Sequence, residues 1–167
     1  MVILVSILLR VGCKLELPIE ETKLKRLTTE EVEQMITVVQ ATWDEVDQRN
    51  ELMQLDPDYA LYKQAELTDV WFFYTATYKN TVSFYSFFIQ PNLHVKGTKQ
   101  LVPDVIYVDP KHRGKGIADI LLLAAEAKGK EEGVNMISIT LKDFDKHNTL
   151  VERLGYKLYE NTFQKVI

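Results

Sequence analysis

The stretch from residue 110 to 122, PKHRGKGIADILL, places basic residues and glycines directly before an apolar helical pattern. A strand that ends in such a turn and continues as a helix points several free backbone N–H groups at one place, where the helix dipole adds about half a positive charge. Gly114 and Gly116 allow the backbone to approach an anion closely, and Arg113 and Lys115 can neutralise its charge. The turn therefore predicts a phosphate-binding site.

Two familiar phosphate motifs do not fit this turn. It lacks the Gly-Lys-Ser/Thr ending of a P-loop, and its glycine spacing differs from that of a Rossmann dinucleotide fingerprint. Taken alone, the stretch is also compatible with an ordinary helix start whose lysines and arginine are solvated. The elements around it decide between these interpretations.

Two residues are candidates for acid–base chemistry. Asp104 begins the apolar segment DVIYV, and its carboxylate could accept a proton directly or through water. The alternative for Asp104 is a strand-end carboxylate that caps neighbouring amides. His94 is the second candidate, because histidine titrates near neutral pH, and its alternative is a solvated loop residue.

The apolar pattern predicts an ordered series of elements around these residues. Spacings of three and four predict a helix at residues 28–49, and VWFFYTATY and VSFYSFFI predict a hairpin. The other predicted strands lie at residues 2–9, 104–108, 135–141 and 156–166. Three further helices are predicted: one at 57–66, one that runs from the glycine turn to about Glu132, and one at 146–154.

Arg113 to Ala118 form the pattern Arg-x-x-Gly-x-Ala directly after a strand that ends in Val-Asp-Pro. With this motif in this order of elements, the chain resembles the GNAT family of acetyl-coenzyme A-dependent N-acetyltransferases from about Thr28 to its C-terminus. The resemblance implies one GNAT domain over residues 1–167, with an atypical N-terminal strand region at 1–27. It implies an α/β (α+β) fold: a mixed, mostly antiparallel central sheet with a splayed central strand pair and helices on both faces.

The resemblance also implies that acetyl-coenzyme A is the acetyl donor and that coenzyme A is a product. The amides of the turn would hold the pyrophosphate, and the central strand would pair with the pantetheine arm where it splays from the strand at 135–141. The implied coenzyme-binding residues are Ile106, Tyr107, Val108, Arg113, Gly114, Lys115, Gly116, Ile117, Ala118 and, on the pantetheine arm, Asn148.

The chain departs from the family pattern near its C-terminus. Val151 stands where the family carries a tyrosine when Gly155 is aligned, and Asn148 lies closer to this glycine than the pattern demands. Tyr156, Tyr107 or water could protonate the leaving thiolate instead, and an N–H near Tyr107 could stabilise the oxyanion.

The resemblance thus implies acetyl transfer to a primary amine of a small molecule or a protein. The alternative is a GNAT-fold binding or assembly module without turnover, which Val151 favours and the intact motif at 113–118 disfavours. The segment at 91–94 and the Leu-Gly-Tyr ending at 154–156 are similar to divergent acetyltransferases encoded by bacteriophages, which would act in the host cytoplasm.

The composition of the chain indicates which partners and locations to expect. The 167 residues suffice for one core, and 20 Lys and Arg against 24 Asp and Glu give a net charge of −4, so no nucleic acid or membrane partner is expected. One cysteine and three separated histidines predict no disulfide, no metal site and a cytoplasmic location. The strand predicted at 2–9 is too short to span a membrane, and as an exposed edge it predicts a homodimer.

Overall fold

The computed structural model describes residues 21–46, 54–140 and 144–159. The strands are β1 (Thr22–Leu27), β2 (Trp71–Tyr78), β3 (Thr81–Pro91), β4 (Lys99–Tyr107) and β5 (Met136–Ile137). The α-helices are α1 (Thr29–Glu33), α2 (Ile36–Val46), α3 (Tyr59–Leu67), α4 (Ile117–Glu131) and α5 (Phe144–Arg153), and a short 3₁₀ turn spans Pro110–His112.

The five strands form one sheet in the order of the chain. The strands β1 to β4 pair antiparallel with their neighbours, whereas β5 pairs parallel with β4. The predicted hairpin is confirmed: β2 and β3 are joined by Lys79 and Asn80, whose φ angles of 47° and 63° suit a two-residue turn. The predicted mixed, mostly antiparallel sheet is therefore confirmed.

Alternation along the strands divides the core into two layers, because successive side chains of a strand point to opposite faces. On one face, Phe72 and Phe87 pack with Leu121 and Leu122 of α4. On the other face, buried aromatic residues of the sheet pack with helices α1 to α3; the residues concerned are Trp71, Phe73, Phe84, Tyr107, Val32, Tyr59 and Tyr62. Helices therefore cover both faces, as predicted.

The prediction of a single helix at 28–49 is wrong, because the described residues of this range form two helices, α1 and α2. Thr28 caps α1 through a capping box with Glu31, as its residue type indicates. The helix then ends, and the amide of Met35 donates to the carbonyl of Val32 at 2.9 Å, a spacing of three residues that tightens the turn. Gln34 and Met35 form a turn before α2 begins. Residues 47–49 lie outside the described residues.

Two other boundaries in this half of the chain differ from the prediction. The helix predicted from residue 57 begins at Tyr59, because the Asp58 carboxylate accepts from the amide of Leu61 at 3.0 Å and caps α3. Strand β1 was not predicted, since TKLKRL carries only two apolar residues and forms an edge strand against β2.

The central strand is longer than the segment 104–108 predicted for it. Strand β4 begins at Lys99, and a β-bulge interrupts its pairing with β3: Ser86 lies opposite Val105, and Phe87 lies opposite Pro103. Proline suggests the end of a strand, but a bulge accommodates it because the ladder is already interrupted there. Asp104 is therefore the extra residue of a bulge within the strand, and not the first residue of the strand.

The strands predicted in the last third of the chain are shorter or absent. Only Met136–Ile137 of the predicted strand at 135–141 pairs with β4, because the two strands part after this point, and residue 141 lies outside the described residues. Residues 156–159 form no strand, and 160–166 lie outside the described part. The helix α5 spans Phe144–Arg153 where 146–154 was predicted. The strand predicted at 2–9, on which the homodimer prediction rests, also lies outside the described residues.

The contact between Thr29 and Glu66 holds α1 against α3 and gives the first testable prediction. One carboxylate oxygen of Glu66 accepts from the Thr29 amide at 3.0 Å and from the Thr29 hydroxyl at 2.7 Å. Burial alone would raise the pKa of Glu66, but the hydrogen bonds from Thr29 and Lys63 outweigh it, and the pKa lies below its usual range. We expect Thr29→Val to lower the free energy of unfolding by about 1 to 2 kcal/mol at pH 7.

The pH dependence of this effect follows from the lowered pKa. A lowered carboxyl pKa contributes stability above the unfolded-state value of about 4.3, and this stability is lost as the pH falls through the folded-state value. Urea unfolding at pH 7 and pH 3 should therefore show a smaller difference between Thr29→Val and wild type at pH 3. Thr37→Val, at an exposed threonine of α2, is the control and should change little. An equal difference at both pH values would contradict the role of the ionised carboxylate.

Candidate active site

The glycine turn between β4 and α4 forms a cradle of backbone amides. Gly114 and Gly116 have φ angles of 74° and 78°, and Gly116 is the N-cap of α4 without a side-chain capping bond. The amide of Ile120 donates to the carbonyl of Gly116 at 3.2 Å as the helical ladder begins. The amides of Ile117 and Ala118 precede this bond and point out of the helix end, so they can donate to an anion.

The 3₁₀ turn before the cradle is held from two sides. The Asp109 carboxylate accepts from the amide of Lys111 at 2.8 Å, and the ring of His112 lies edge-on to Tyr78 at 5.0 Å between centroids. His112 Nε2 also lies 3.2 Å from the hydroxyl of Thr81. The start of the turn is therefore fixed to the β2–β3 hairpin, which gives the cradle a defined position.

Space is available above the cradle. A Cβ added to Gly114 would meet no protein atom within 4 Å. Lys115 is exposed, whereas the guanidinium of Arg113 pairs with Glu45 of α2 and its Nε donates to the carbonyl of Val108 at 3.0 Å. The turn thus fits a phosphate group through its amides, with Arg113 tied to α2 in this arrangement.

The edge of β4 near the cradle lies open within the described residues. The last backbone hydrogen bond between β4 and the segment containing β5 runs from the Ser138 amide to the Leu101 carbonyl at 2.9 Å. Beyond it, Ile106 and Tyr107 pair with β3 on one side and have no described strand on the other, and Val108 follows directly after them. An extended molecule with amide groups could pair with this edge on its way to the cradle.

Asp104 receives two hydrogen bonds on one oxygen atom. Its Oδ2 accepts from the hydroxyl of Ser86 at 2.7 Å and from the hydroxyl of Tyr62 at 3.2 Å. The hydroxyl of Ser86 in turn accepts from the indole Nε1 of Trp71 at 2.7 Å. Asp104 itself is exposed, and no described residue contacts its Oδ1 by a hydrogen bond. The arrangement leaves one carboxylate oxygen available to a molecule from solution.

The phenols near Asp104 are held in their protonated form. Burial raises the pKa of Tyr62, and the Asp104 carboxylate raises it further by its charge and its hydrogen bond. Burial and the same charge raise the pKa of Tyr85, whose hydroxyl has no partner among the described residues. Tyr62 therefore acts as a hydrogen-bond donor to Asp104 across the working pH range.

The second predicted base lies elsewhere. His94 is exposed in the loop between β3 and β4, where its amide donates to the Asn92 side chain at 2.9 Å. This loop and the cradle occupy opposite ends of β4, whose nine residues span roughly 30 Å. The structure therefore brings Asp104, and not His94, onto the part of β4 that leads to the cradle.

Tyr156 and Tyr107, the two tyrosines predicted to protonate the leaving thiolate, both contact other side chains of the protein. The hydroxyl of Tyr156 donates to Glu126 at 3.0 Å, and burial, followed by the charge of Glu126, raises the pKa of Tyr156. The ring of Tyr107 packs 5.7 Å from that of Phe84. Val151 is buried in α5. Asn148 belongs to the same helix, and its side chain lies outside the described part of the structure.

Sequence reasoning missed the roles of Ser86 and Tyr62, which donate to Asp104, and of Trp71, which donates to Ser86. The aromatic run of β2 and β3 indicated core packing first and a wall of the acceptor cleft second, although a serine in the middle of VSFYSFFI was a signal that a polar group is needed there. Sequence reasoning also missed an ion pair between two helices. Asp119 is buried in the first turn of α4, and Arg153 of α5 lies 2.5 Å from its carboxylate.

Comparison with known proteins agrees with this geometry. Residues 35–156 match the model of the acetyltransferase (GNAT) family. The chain belongs to the GNAT family. A comparison with curated proteins finds no match. Among the described residues, no group of His, Cys, Asp or Glu could hold a metal ion, and no helix is long and apolar enough to cross a membrane.

Several solved structures share the fold. An aminoglycoside acetyltransferase from an uncultured soil metagenomic sample is 16% identical with a TM-score of 0.70, covering 87% of this chain and 98% of its own. The ribosomal-protein-alanine N-acetyltransferase of Brucella melitensis biovar Abortus 2308 is 17% identical with a TM-score of 0.64, covering 87% and 99%. An aminoglycoside N-acetyltransferase, AAC(6')-Iy, in complex with CoA is 15% identical with a TM-score of 0.64, covering 87% and 94%. At these identities the similarity shows the fold.

The Asp119–Arg153 pair gives a prediction about the helix that carries the cradle. The Asp119 side chain is 4% exposed and that of Arg153 is 40% exposed, so removing the arginine leaves a buried carboxylate unpaired. We expect Arg153→Met to lower the free energy of unfolding by about 2 kcal/mol, less than for a fully buried pair because Arg153 is half in water.

A double variant separates lost charge pairing from lost packing. Asp119→Asn combined with Arg153→Met should recover most of the loss in urea unfolding, because the unpaired charge is gone. Lys25→Met, which breaks an exposed pair with Glu31, is the control and should have little effect. A double variant as unstable as Arg153→Met would show that packing, and not charge, stabilises this contact.

Proposed function

We propose that this chain is an acetyl-coenzyme A-dependent N-acetyltransferase that acetylates a primary amine of a small molecule or a protein. The observation that carries the proposal is the cradle of free amides at Gly114 to Ala118, which follows the open edge of β4 in a chain of the GNAT family. A helix N-terminus of this kind binds phosphate, and the open edge accommodates an extended amide-containing arm.

Acetyl-coenzyme A would lie along β4, with its pyrophosphate at the cradle. The amides of Gly114, Gly116 and Ile117 would donate to the phosphate oxygens, and Lys115 would add a positive charge beside them. The backbone of Ile106 to Val108 would pair with the pantetheine arm. When bound, the coenzyme supplies an activated acetyl thioester.

Asp104 is the proposed base. The acceptor amine is an ammonium ion at neutral pH and must lose a proton before it can act as a nucleophile. The Oδ1 atom of Asp104 is available for this proton, directly or through water, while Oδ2 is held by Ser86 and Tyr62. The net charge of −4 mildly favours a cationic acceptor.

The second candidate function is a GNAT-fold binding module without turnover. It is favoured by the buried Val151 and by the Tyr156 hydroxyl, which donates to Glu126. The first experiment is therefore a calorimetric titration of the protein with acetyl-coenzyme A, followed by a thiol-release assay with primary amines. Saturable binding without thiol release for any amine would favour the module, and no binding by the folded protein would reject the coenzyme site.

Two glycines with the same backbone strain provide a matched test of the cradle. Gly114 and Gly133, at the two ends of α4, have φ angles of 74° and 72°, and an added Cβ meets no atom within 4 Å at either position. Each alanine variant should lose about 1 to 2 kcal/mol of stability from strain. Only Gly114→Ala should weaken acetyl-coenzyme A binding, by about tenfold or more, because it disturbs amides that form charge-assisted hydrogen bonds. Equal affinities of the two variants in calorimetry would reject the cradle.

The role of Asp104 is tested by Asp104→Asn, which keeps the shape of the side chain and removes the proton acceptor. We expect kcat to fall by about 100-fold or more, as for the loss of a general base, while calorimetry shows an unchanged affinity for acetyl-coenzyme A. Asp109→Asn, which changes the carboxylate that caps the 3₁₀ turn, is the comparison and should affect coenzyme affinity more than kcat. A kcat of Asp104→Asn close to that of wild type would remove this residue from the mechanism.

A further inference from the structure

We propose that Tyr62 and the buried Trp71–Ser86 pair are positioning residues that direct proton uptake to the Oδ1 atom of Asp104. The inference rests on the proposed function, in which Asp104 is the base. It deepens that function by naming the groups that orient the carboxylate and by assigning different roles to its two oxygen atoms.

The hydrogen-bond chain has only one possible direction. The indole N–H of Trp71 is a donor and cannot accept, so the Ser86 hydroxyl at 2.7 Å must accept from it. The single hydroxyl proton of Ser86 is then free to donate to Asp104 Oδ2 at 2.7 Å. Trp71 is 2% exposed and Ser86 is 1% exposed, so bulk water does not compete for these groups. Ser86 is thus oriented as a donor by a residue that does not itself touch Asp104.

Tyr62 supplies the second donor from a different element. Its hydroxyl lies 3.2 Å from the same Oδ2 atom, and its ring is held by Trp71 at 4.9 Å and by Phe88 at 6.3 Å between centroids. Trp71 therefore positions both donors, Ser86 through its N–H group and Tyr62 through its ring. Because α3 carries Tyr62 and β3 carries Ser86, the carboxylate is held between a helix and the sheet.

The contact between Asp104 and Ser86 lies at the bulge in β4. Ser86 pairs with Val105 and Phe87 pairs with Pro103, which leaves Asp104 as an extra residue without a partner in the ladder. The side chain of Asp104 reaches Ser86 on the face of α1 to α3. The carboxylate that receives the two donors therefore belongs to the one residue of β4 that the bulge leaves unpaired with β3.

Two donors on Oδ2 determine where a proton can be added. A proton on Oδ2 would meet two O–H groups that already point at this atom, so one hydrogen bond would have to break. A proton on Oδ1 requires no such change. The titratable groups that face Asp104 are Tyr62 from α3 and Tyr85 from β3, and no lysine or arginine pairs with it in the described part of the chain. The charge is therefore stabilised chiefly by neutral donors.

The kinetic test compares two tyrosines on one helix. Tyr62→Phe and Ser86→Ala each remove one donor to the charged carboxylate, which makes its protonation easier, so we expect the acid limb of the kcat/KM profile to move to higher pH in both variants. The value of kcat should fall severalfold, with KM for acetyl-coenzyme A unchanged. Tyr59→Phe is the control, because the buried Tyr59 hydroxyl has no partner among the described residues. The pH profile of Tyr59→Phe should match that of wild type. Ser86→Thr keeps the hydroxyl donor, so its pH profile should lie close to that of wild type and not to that of Ser86→Ala.

A second readout does not depend on turnover. In protein labelled with ¹³C at aspartate side-chain carboxyls, the Asp104 resonance is assigned as the one that Asp104→Asn removes, and its titration is followed without substrate. We expect the pH-dependent change of this resonance to lie at higher pH in Tyr62→Phe and in Ser86→Ala than in wild type or Tyr59→Phe, because each of these two variants removes a hydrogen bond to the charged form. Identical titrations in all variants would overturn the positioning role. The expected shift combined with no acetylation of any amine would uphold the positioning and reject the proposed function, so the two failures are distinguishable.

Discussion

The parting of β4 from β5 is the constraint on which the other features depend. Near Gln100 and Leu101 the strand β4 is paired on both sides, so its backbone groups are satisfied and its position is fixed. Beyond this point β4 remains paired with β3 alone, and its other edge is free in the described structure. A strand fully enclosed in a sheet has no backbone groups to offer to a ligand, whereas an unsupported strand would not hold its shape. Strand β4 combines both requirements along a single run of nine residues.

The helix that follows places the cradle of free amides at the end of the open edge. Helix α4 buries Leu121 and Leu122 against the sheet, and Asp119 binds Arg153 of α5, so its N-terminus is held from two directions. Free amides bind an anion well only when they need not reorganise, which rigid packing ensures. The link from Arg113 to Glu45 extends this rigidity to α2, on the other face of the sheet. The glycine turn is thereby in direct contact with a helix of the face that carries Ser86 and Tyr62.

Local patterns predicted the elements whose residues carry their own signals. The hairpin has two strongly apolar strands and a two-residue turn, and α4 follows a glycine turn and ends before Gly133, so both could be predicted from neighbouring residues. The bulge at Asp104 could not, because it depends on register with β3. The donors to Asp104 lie 18 and 42 residues away along the chain, and only folding brings Ser86 and Tyr62 together. The contact of α1 with α3 likewise depends on a distant residue, because the Thr29 amide donates to the carboxylate of Glu66.

The contrast between Asp104 and Val151 follows from the chemistry of the proposed reaction. A primary amine with a pKa of about 10.4 is neutral in only about four molecules in ten thousand at pH 7, so its deprotonation limits the rate unless a base is present. A thiol with a pKa of about 8.5 leaves as a thiolate much more readily and can take its proton later from water. The loss of a general acid is therefore less costly than the loss of a base. With Asp104 as the proposed base, a chain that gives this carboxylate two hydrogen-bond donors and buries Val151 would keep the group whose loss would cost more.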